Sequence, residues 1–148
     1  MQPPTYEAFQ DYVRGNELWV LSRYLEAAQW YVRAYEADTT FLRSLMIAAA
    51  AYGSGGDPIR SDSLLRTIVS RREELAPYDR FRLDYSIAGR SGDRAGQLRA
   101  ARLATELVPF GTQRLALVGA LVLNNRPEEA LESIEEVWEE FLEIAGSW

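Results

Sequence analysis

Carboxylates and guanidinium groups are the only charged side chains in this sequence: 22 Asp and Glu stand against 16 Arg, with no Lys, His or Cys. That set bounds the chemistry. Without Cys there is neither a disulfide nor a thiol nucleophile. Without His and Cys, a zinc site would rest on carboxylates alone, against the metal's usual ligand choice. Without Lys there is no Schiff-base amine and no phosphate loop of the usual lysine-containing kind. A carboxylate pair remains as a catalytic option, but the acids recur on polar helix faces with no nucleophile or metal-ligand set beside them. The sequence is therefore expected to carry no catalytic residue, no cofactor and no metal, and not to be an enzyme.

The charges are unevenly placed. Residues 1–59 hold four Arg and seven acids, residues 60–102 hold ten Arg and six acids, and residues 127–148 hold eight Glu and no base. A net charge of −6 disfavours nucleic acid, whose binding rests on neutralising phosphates, and no nucleic-acid partner is expected. The Arg cluster of Arg60, Arg66, Arg71, Arg72, Arg80 and Arg82 suits either an acidic partner or a solvated helix face with local ion pairs. Near the C-terminus, Glu128, Glu132, Glu135, Glu139 and Glu143 share one helical face, and Leu131, Ile134, Trp138, Phe141, Leu142 and Ala145 share another. Part of that apolar stripe is expected against the preceding helix. Trp138, Phe141 and Trp148 exceed this need and are candidate contacts of a homodimer, or of a following segment.

Helices must position these groups, because sustained apolar–polar alternation and hairpin turns are missing while helical periodicity recurs. Eight helices are expected, at about 5–21, 24–37, 41–52, 58–75, 78–89, 94–108, 112–123 and 127–145. The expected buried positions include Phe9, Tyr12, Val13 and Leu18 in the first, Ala27, Tyr31, Ala34 and Tyr35 in the second, and Leu64, Leu65, Ile68 and Val69 in the fourth. Leu98, Ala101 and Leu107 are their counterparts in the sixth. The third, with Leu45, Met46, Ile47 and its alanines, is apolar nearly all round and should lie between neighbours. Asp57 before Pro58 is a strong helix start. Short loops make consecutive helices antiparallel. No apolar run reaches the roughly 18–20 residues that span a bilayer, so no membrane insertion is expected. Met1-Gln2-Pro3-Pro4 lacks a secretory pattern. The compartment is left open, with the cytoplasm favoured.

One spacing organises the chain. The turn residues Ser22, Gly56, Gly92 and Asn125 lie 34, 36 and 33 residues apart. Ala27, Ser61, Gln97 and Ala130, early in the second helix of each pair, repeat the same intervals. A helix–turn–helix unit of about 34 residues is the mark of the tetratricopeptide repeat, which the residues also resemble. Tyr24-Leu25-Glu26-Ala27, Tyr31 and Ala34 follow its pattern, with Ser22 and Thr39 where glycine and proline are expected. The second unit keeps Tyr52 and Gly56-Asp57, with Ser61 and Ile68 in place of alanines. The third keeps Gly92-Asp93, Ala101, Ala104 and Pro109, and the fourth Arg126-Pro127-Glu128-Glu129-Ala130-Leu131. A narrower likeness, in Leu75-Ala76-Pro77-Tyr78-Asp79-Arg80 and Gly92-Asp93-Arg94, is to repeat segments attached to bacterial serine/threonine kinases and signalling regulators.

The resemblance implies an all-α, right-handed α-solenoid: a single domain over 1–148 with units at about 5–38, 39–75, 76–109 and 110–145. It also implies a concave face lined by the first helix of each pair, where ligands of the family bind. By position the liners here are Tyr12, Asn16, Trp19, Arg43, Met46, Arg82 and Ser86, with Leu115 further along. Trp19 and Met46 would anchor a peptide, and Arg43 and Arg82 would meet its charges. A chaperone-type carboxylate clamp is not expected, since Lys is missing and Asn16 alone matches its amides. The expected function is a scaffold binding a protein or peptide. The alternative is a regulatory domain of a larger signalling protein that senses a small ligand or nucleic acid.

Overall fold

In the computed structural model the structure describes residues 3–109 and 112–146, with side chains described at 3–109 and 113–139. Among the described residues there are eight α-helices and no strand: α1 Tyr6–Val20, α2 Tyr24–Ala37, α3 Leu42–Ser54, α4 Pro58–Ser70, α5 Pro77–Ser91, α6 Arg94–Leu107, α7 Thr112–Leu123 and α8 Pro127–Gly146. Residues 1–76 form one compact unit and residues 77–148 a second. Within each, the main helix packing joins chain neighbours: α1 with α2, α2 with α3 and α3 with α4, then α5 with α6, α6 with α7 and α7 with α8.

Local chemistry explains where the helices start. The Thr5 hydroxyl accepts from the Ala8 N–H, the Asp57 carboxylate from Arg60 and the Asp93 carboxylate from Gly96, so these side chains satisfy N–H groups that the first turn leaves open. α4 stops at Ser70, short of the expected Leu75, and a single 3-10 turn follows at Arg72–Glu74. Two causes act together. The Thr67 and Ser70 hydroxyls bond back to the Ser63 and Thr67 carbonyls, which weakens the helix end. Glu73 and Glu74 would also place negative charge at a helix C-terminus, where the dipole disfavours it.

The four turns inside the helix pairs are alike. Ser22, Gly56, Gly92 and Asn125 take left-handed φ values of 58°, 82°, 74° and 55°. The next residue in each case returns its N–H to the carbonyl five residues back: Arg23 to Leu18 at 2.9 Å, Asp57 to Tyr52 at 2.8 Å, Asp93 to Ala88 at 2.8 Å and Arg126 to Leu121 at 3.0 Å. This is the Schellman closure of a helix. The closing residue then opens the following helix, since its carbonyl accepts from the N–H of Ala27, Ser61, Gln97 or Ala130. The two sets of landmarks that share a spacing are thus the two ends of one hydrogen-bonded device.

Small residues let the helices approach. In α1 the buried side is Ala8, Asp11, Gly15 and Leu18. A Cβ at Gly15 would lie 2.5 Å from the Tyr31 ring, so α2 seats its tyrosine where α1 has no side chain. The expectation that Phe9 and Val13 are buried is therefore wrong: Phe9 is 51% exposed and Val13 is also exposed, because the face of least bulk turned inward instead. Val69 and Leu107, also expected inside, are exposed too. Serine replaces alanine at Ser61 without leaving a buried hydroxyl unpaired, since it donates to the Ala49 carbonyl of α3 at 2.6 Å. Ser44 of α3 donates likewise to the Tyr31 carbonyl of α2 at 2.7 Å. In the second unit the bulky Gln97 occupies the small-residue position, and Gly89 opposite makes the room: a Cβ there would meet the Gln97 amide at 2.5 Å.

Polar stitches hold the loop ends of residues 1–76. Asp38 accepts from the Thr40 hydroxyl at 2.7 Å and from the N–H groups of Thr5 and Thr40 at 3.0 Å, and these bonds hold its carboxyl below the usual carboxylate range. Arg71 pairs with Glu74 and donates to the Tyr35 hydroxyl at 2.9 Å and the Thr39 carbonyl at 2.8 Å, so it ties the end of α4 to the α2–α3 loop. Its guanidinium is held more firmly protonated, first by the bond to Glu74.

Candidate functional site

The first unit presents a row of side chains on α1. Tyr12, Asn16 and Trp19 fall at i, i+4 and i+7, which places them along one flank of the helix. Tyr12 is half-buried, its ring 5.5 Å from Tyr31 and 5.1 Å from Phe41, the residue preceding α3. Asn16 is exposed, and its Oδ1 accepts from the Tyr31 hydroxyl at 2.8 Å. Trp19 is half-buried and meets Tyr24 edge-on at 5.2 Å. Tyr12 and Trp19 lie against a core drawn from α1, α2 and α3, which includes Leu18, Ala27, Tyr31 and Ala48. Beyond this flank, the outer face of α1 carries Tyr6, Phe9, Val13 and Val20, all exposed.

Burial fixes the chemistry of the row. The Tyr31 phenol lies 1% exposed, and desolvation, followed by the neighbouring Tyr12, raises its pKa to about 12. It stays a neutral donor and fixes the orientation of the Asn16 amide. Asn16 is itself exposed, on the same flank as the half-buried Tyr12 and Trp19. Such a surface combines aromatic area with an oriented amide, a pairing that suits a peptide main chain.

The other expected liners take different places. Arg43 is exposed in the first turn of α3. Met46 is only 8% exposed, which corrects its assignment as a surface anchor: α3 is flanked by α2 and α4, and Met46 belongs to the enclosed side. In the second unit, Arg82 is half-buried beside Asp79 at 3.8 Å, and the Ser86 hydroxyl donates to the Arg82 carbonyl of its own helix at 3.0 Å. Leu115 on α7 is exposed. Trp138 is exposed on α8, whereas the Phe141 side chain and Trp148 lie outside the described residues. The outer α1 face of Tyr6, Phe9, Val13 and Val20 escaped the sequence reading. Ala8 and Gly15 were its signal, for two small residues seven apart mark the close-packed side and leave the bulky residues outward.

The Arg cluster is largely engaged in local pairs. Arg60 meets Asp57 at 3.4 Å and lies over the Tyr52 ring, Arg72 meets Glu73 at 3.7 Å and Arg82 meets Asp79 at 3.8 Å; outside the cluster, Arg99 meets Asp93 at 3.6 Å. Two clefts in the second unit are lined by described residues. One, of about 370 Å³, lies between α5 and α6 over Phe81, Ile87, Ala100 and Leu103. The other, of about 360 Å³, is bordered by α6, α7 and α8 and crossed by ion pairs from Arg102 to Glu129 at 2.6 Å and from Arg114 to Glu136 at 2.5 Å. Among the described residues no group of acids is arranged to hold a metal ion, and no helix is long and apolar enough to cross a membrane. Compared with models of known protein families the chain matches none, and no curated protein matches it in sequence.

Proposed function

We propose that this protein is an interaction module of the tetratricopeptide kind, its helix pairs stacked as a right-handed α-solenoid, which holds a peptide or partner domain across the first helices of its pairs. The observation that carries the reading is the surface of α1. After α1 has packed on α2, its flank still presents Tyr12, Asn16 and Trp19 to a partner, with Phe9, Val13 and Val20 beside them. A contiguous aromatic and aliphatic face of this kind on a folded domain marks a recognition surface. The four equivalent turns, and the packing of chain neighbours within residues 1–76 and within residues 77–148, support a repeat reading. Tyr12 and Trp19 act as rigid anchors, Asn16 pairs with main chain, and Arg43 meets an acidic group; the reading has no catalytic step.

The test starts from peptides selected out of a random library on the purified chain. A selected peptide is then titrated against Tyr12→Ala, Trp19→Ala and Arg43→Ala. The expected result is a loss of about tenfold or more for at least one aromatic variant, as for a central anchor. Peptides that bind all three variants as well as the parent chain would remove α1 from the function.

A further inference from the structure

The last helix carries a second surface, independent of the first. Ala130 of α8 enters the core formed with Ala120 and Leu121 of α7, and Ser133 and Val137 are half-buried. The apolar stripe expected to share that contact lies one position further round. Leu131, Ile134 and Trp138, at i, i+3 and i+7, are 60%, 46% and 61% exposed. Alongside runs a ridge of Glu128, Glu132, Glu135 and Glu139, all exposed. The remaining described acids of α8 are paired, Glu129 with Arg102 and Arg126 and Glu136 with Arg114. The four ridge carboxylates have no cationic partner among the described residues.

This arrangement is costly in isolation. Like charges spaced three and four apart on a helix repel, at a few tenths of a kcal/mol per pair, and the stripe leaves two turns of apolar surface in water. One occupant relieves both: a helix with its own apolar stripe bordered by cations. We propose that the exposed face of α8 docks a cationic amphipathic helix from a partner protein, with Trp138 as the central anchor and Glu132, Glu135 and Glu139 as the charge contacts. Charge decides between this occupant and a second α8 helix. Residues 127–148 hold eight Glu and no base, so pairing two α8 helices sets acid beside acid, whereas a Lys- or Arg-bordered helix meets its complement.

The test uses the full chain and a labelled peptide of about 14 residues, four helical turns, with Leu along one face and Lys on the other. One control peptide replaces Lys by Glu, and a second keeps the composition but scatters the Leu residues. Binding is read by fluorescence anisotropy at about 50 mM and about 500 mM salt, a range across which screening becomes strong. The amphipathic Lys peptide is expected to bind saturably. Both controls, and the high-salt condition, are expected to weaken binding about tenfold or more. Trp138→Ala and the combined Glu132→Gln, Glu135→Gln, Glu139→Gln variant should each lose about tenfold as well. The Gln variant relieves repulsion within α8, so an unchanged circular dichroism spectrum accompanies its loss. Trp19→Ala should bind as the parent chain does, which separates this surface from the one on α1. Equal binding of the scattered peptide, parent-like binding by both α8 variants, or loss with Trp19→Ala would each overturn the proposal. So would a doubled mass in light scattering that Trp138→Ala returns to the monomer, since a second copy would then be the occupant.

Discussion

The two units use the same turn and fill it with different chemistry. In residues 1–76 the helices close on one another through small residues and buried hydroxyls. Tyr31 sits over Gly15, Ser44 and Ser61 bond across to carbonyls of the preceding helix, and Ile68 is wholly enclosed. In residues 77–148 Leu83, Ala120 and Leu121 are enclosed too, but short ion pairs also span the helices, from Arg102 on α6 and Arg114 on α7 to Glu129 and Glu136 on α8 at 2.6 and 2.5 Å, where residues 1–76 have the longer Arg33–Asp11 contact of 3.4 Å between α2 and α1. Close packing is indifferent to salt and intolerant of added volume; exposed ion pairs are the reverse. The first unit should therefore break on a methyl group and the second should respond to ionic strength.

The largest effect is expected at Gly15. Gly15→Val drives a branched side chain into a tyrosine ring that is 1% exposed and already fixed through Asn16. Overpacking of this kind costs about 3 kcal/mol, read as a fall in the denaturant midpoint of a chain whose Trp19 and Trp30 report on this core. The contrasting change is Gly119→Ala in α7, where an added Cβ meets nothing within 4 Å. There the helix gains, by roughly 0.5–1 kcal/mol. A parent-like Gly15→Val, or a damaging Gly119→Ala, would erase the distinction between these two glycine sites.

Tyr31 gives the same core a dependence on alkali. Its phenol must be neutral to stay buried, and its pKa is raised from an ordinary value near 10 to about 12. The stabilisation is fully present below pH of about 10 and is lost as pH rises through about 12, for a total of roughly 2–3 kcal/mol. Tyr31→Phe has no phenol to ionise. It should be less stable at neutral pH, for want of the bond to Asn16, and flatter between pH of about 10 and 12 in the same denaturation series.

The turns allow a finer comparison, because their backbone is shared and their residues are not. A Cβ at Gly56 or Gly92 meets nothing within 4 Å, so Gly56→Ala bears only the strain of left-handed φ, about 1 kcal/mol. Ser22 already bears that strain in the first unit, and Ser22→Gly should recover about 0.5–1 kcal/mol in thermal or chemical denaturation. Asn125→Gly should gain less, since asparagine tolerates this region.

These turns were the most legible part of the molecule. A left-handed residue recruits Gly or Asn, and the signal is local, so the pattern read from Gly56, Gly92 and Asn125 placed even Ser22. The end of α7 was legible for the same reason, and the end of α2 from the polar run Asp38-Thr39-Thr40. The end of α4 was not, because it depends on back-bonding hydroxyls and on the partners Arg71 finds at Tyr35 and Thr39, more than thirty residues earlier. The faces of α1 and α8 were misread through one habit. Bulky apolar residues such as Phe9 and Leu131 look like core, yet Gly15 and Ala130, which let a neighbour come close, decide which side turns in. Of the α1 site, the spacing of Tyr12, Asn16 and Trp19 was visible in sequence. The buried phenol that orients Asn16 was not, for it lies on the other helix.

The smallest expected effect tests the second unit. The side chains of the Arg102–Glu129 pair are 43% and 40% exposed, so water and salt weaken their attraction and the pair contributes about 0.5 kcal/mol. Arg102→Gln keeps the length of the stem and removes only the charge. A double-mutant cycle with Glu129→Gln isolates the coupling, which should fall further as salt rises from about 50 mM to about 500 mM. The single change Ser61→Ala, which removes a buried hydroxyl bonded to the Ala49 carbonyl, should show a cost that does not change with salt. If the Arg102–Glu129 coupling is as indifferent to salt as the buried hydroxyl, the ion pairs are incidental. Residues 77–148 would then be held as residues 1–76 chiefly are, by close packing and buried hydrogen bonds.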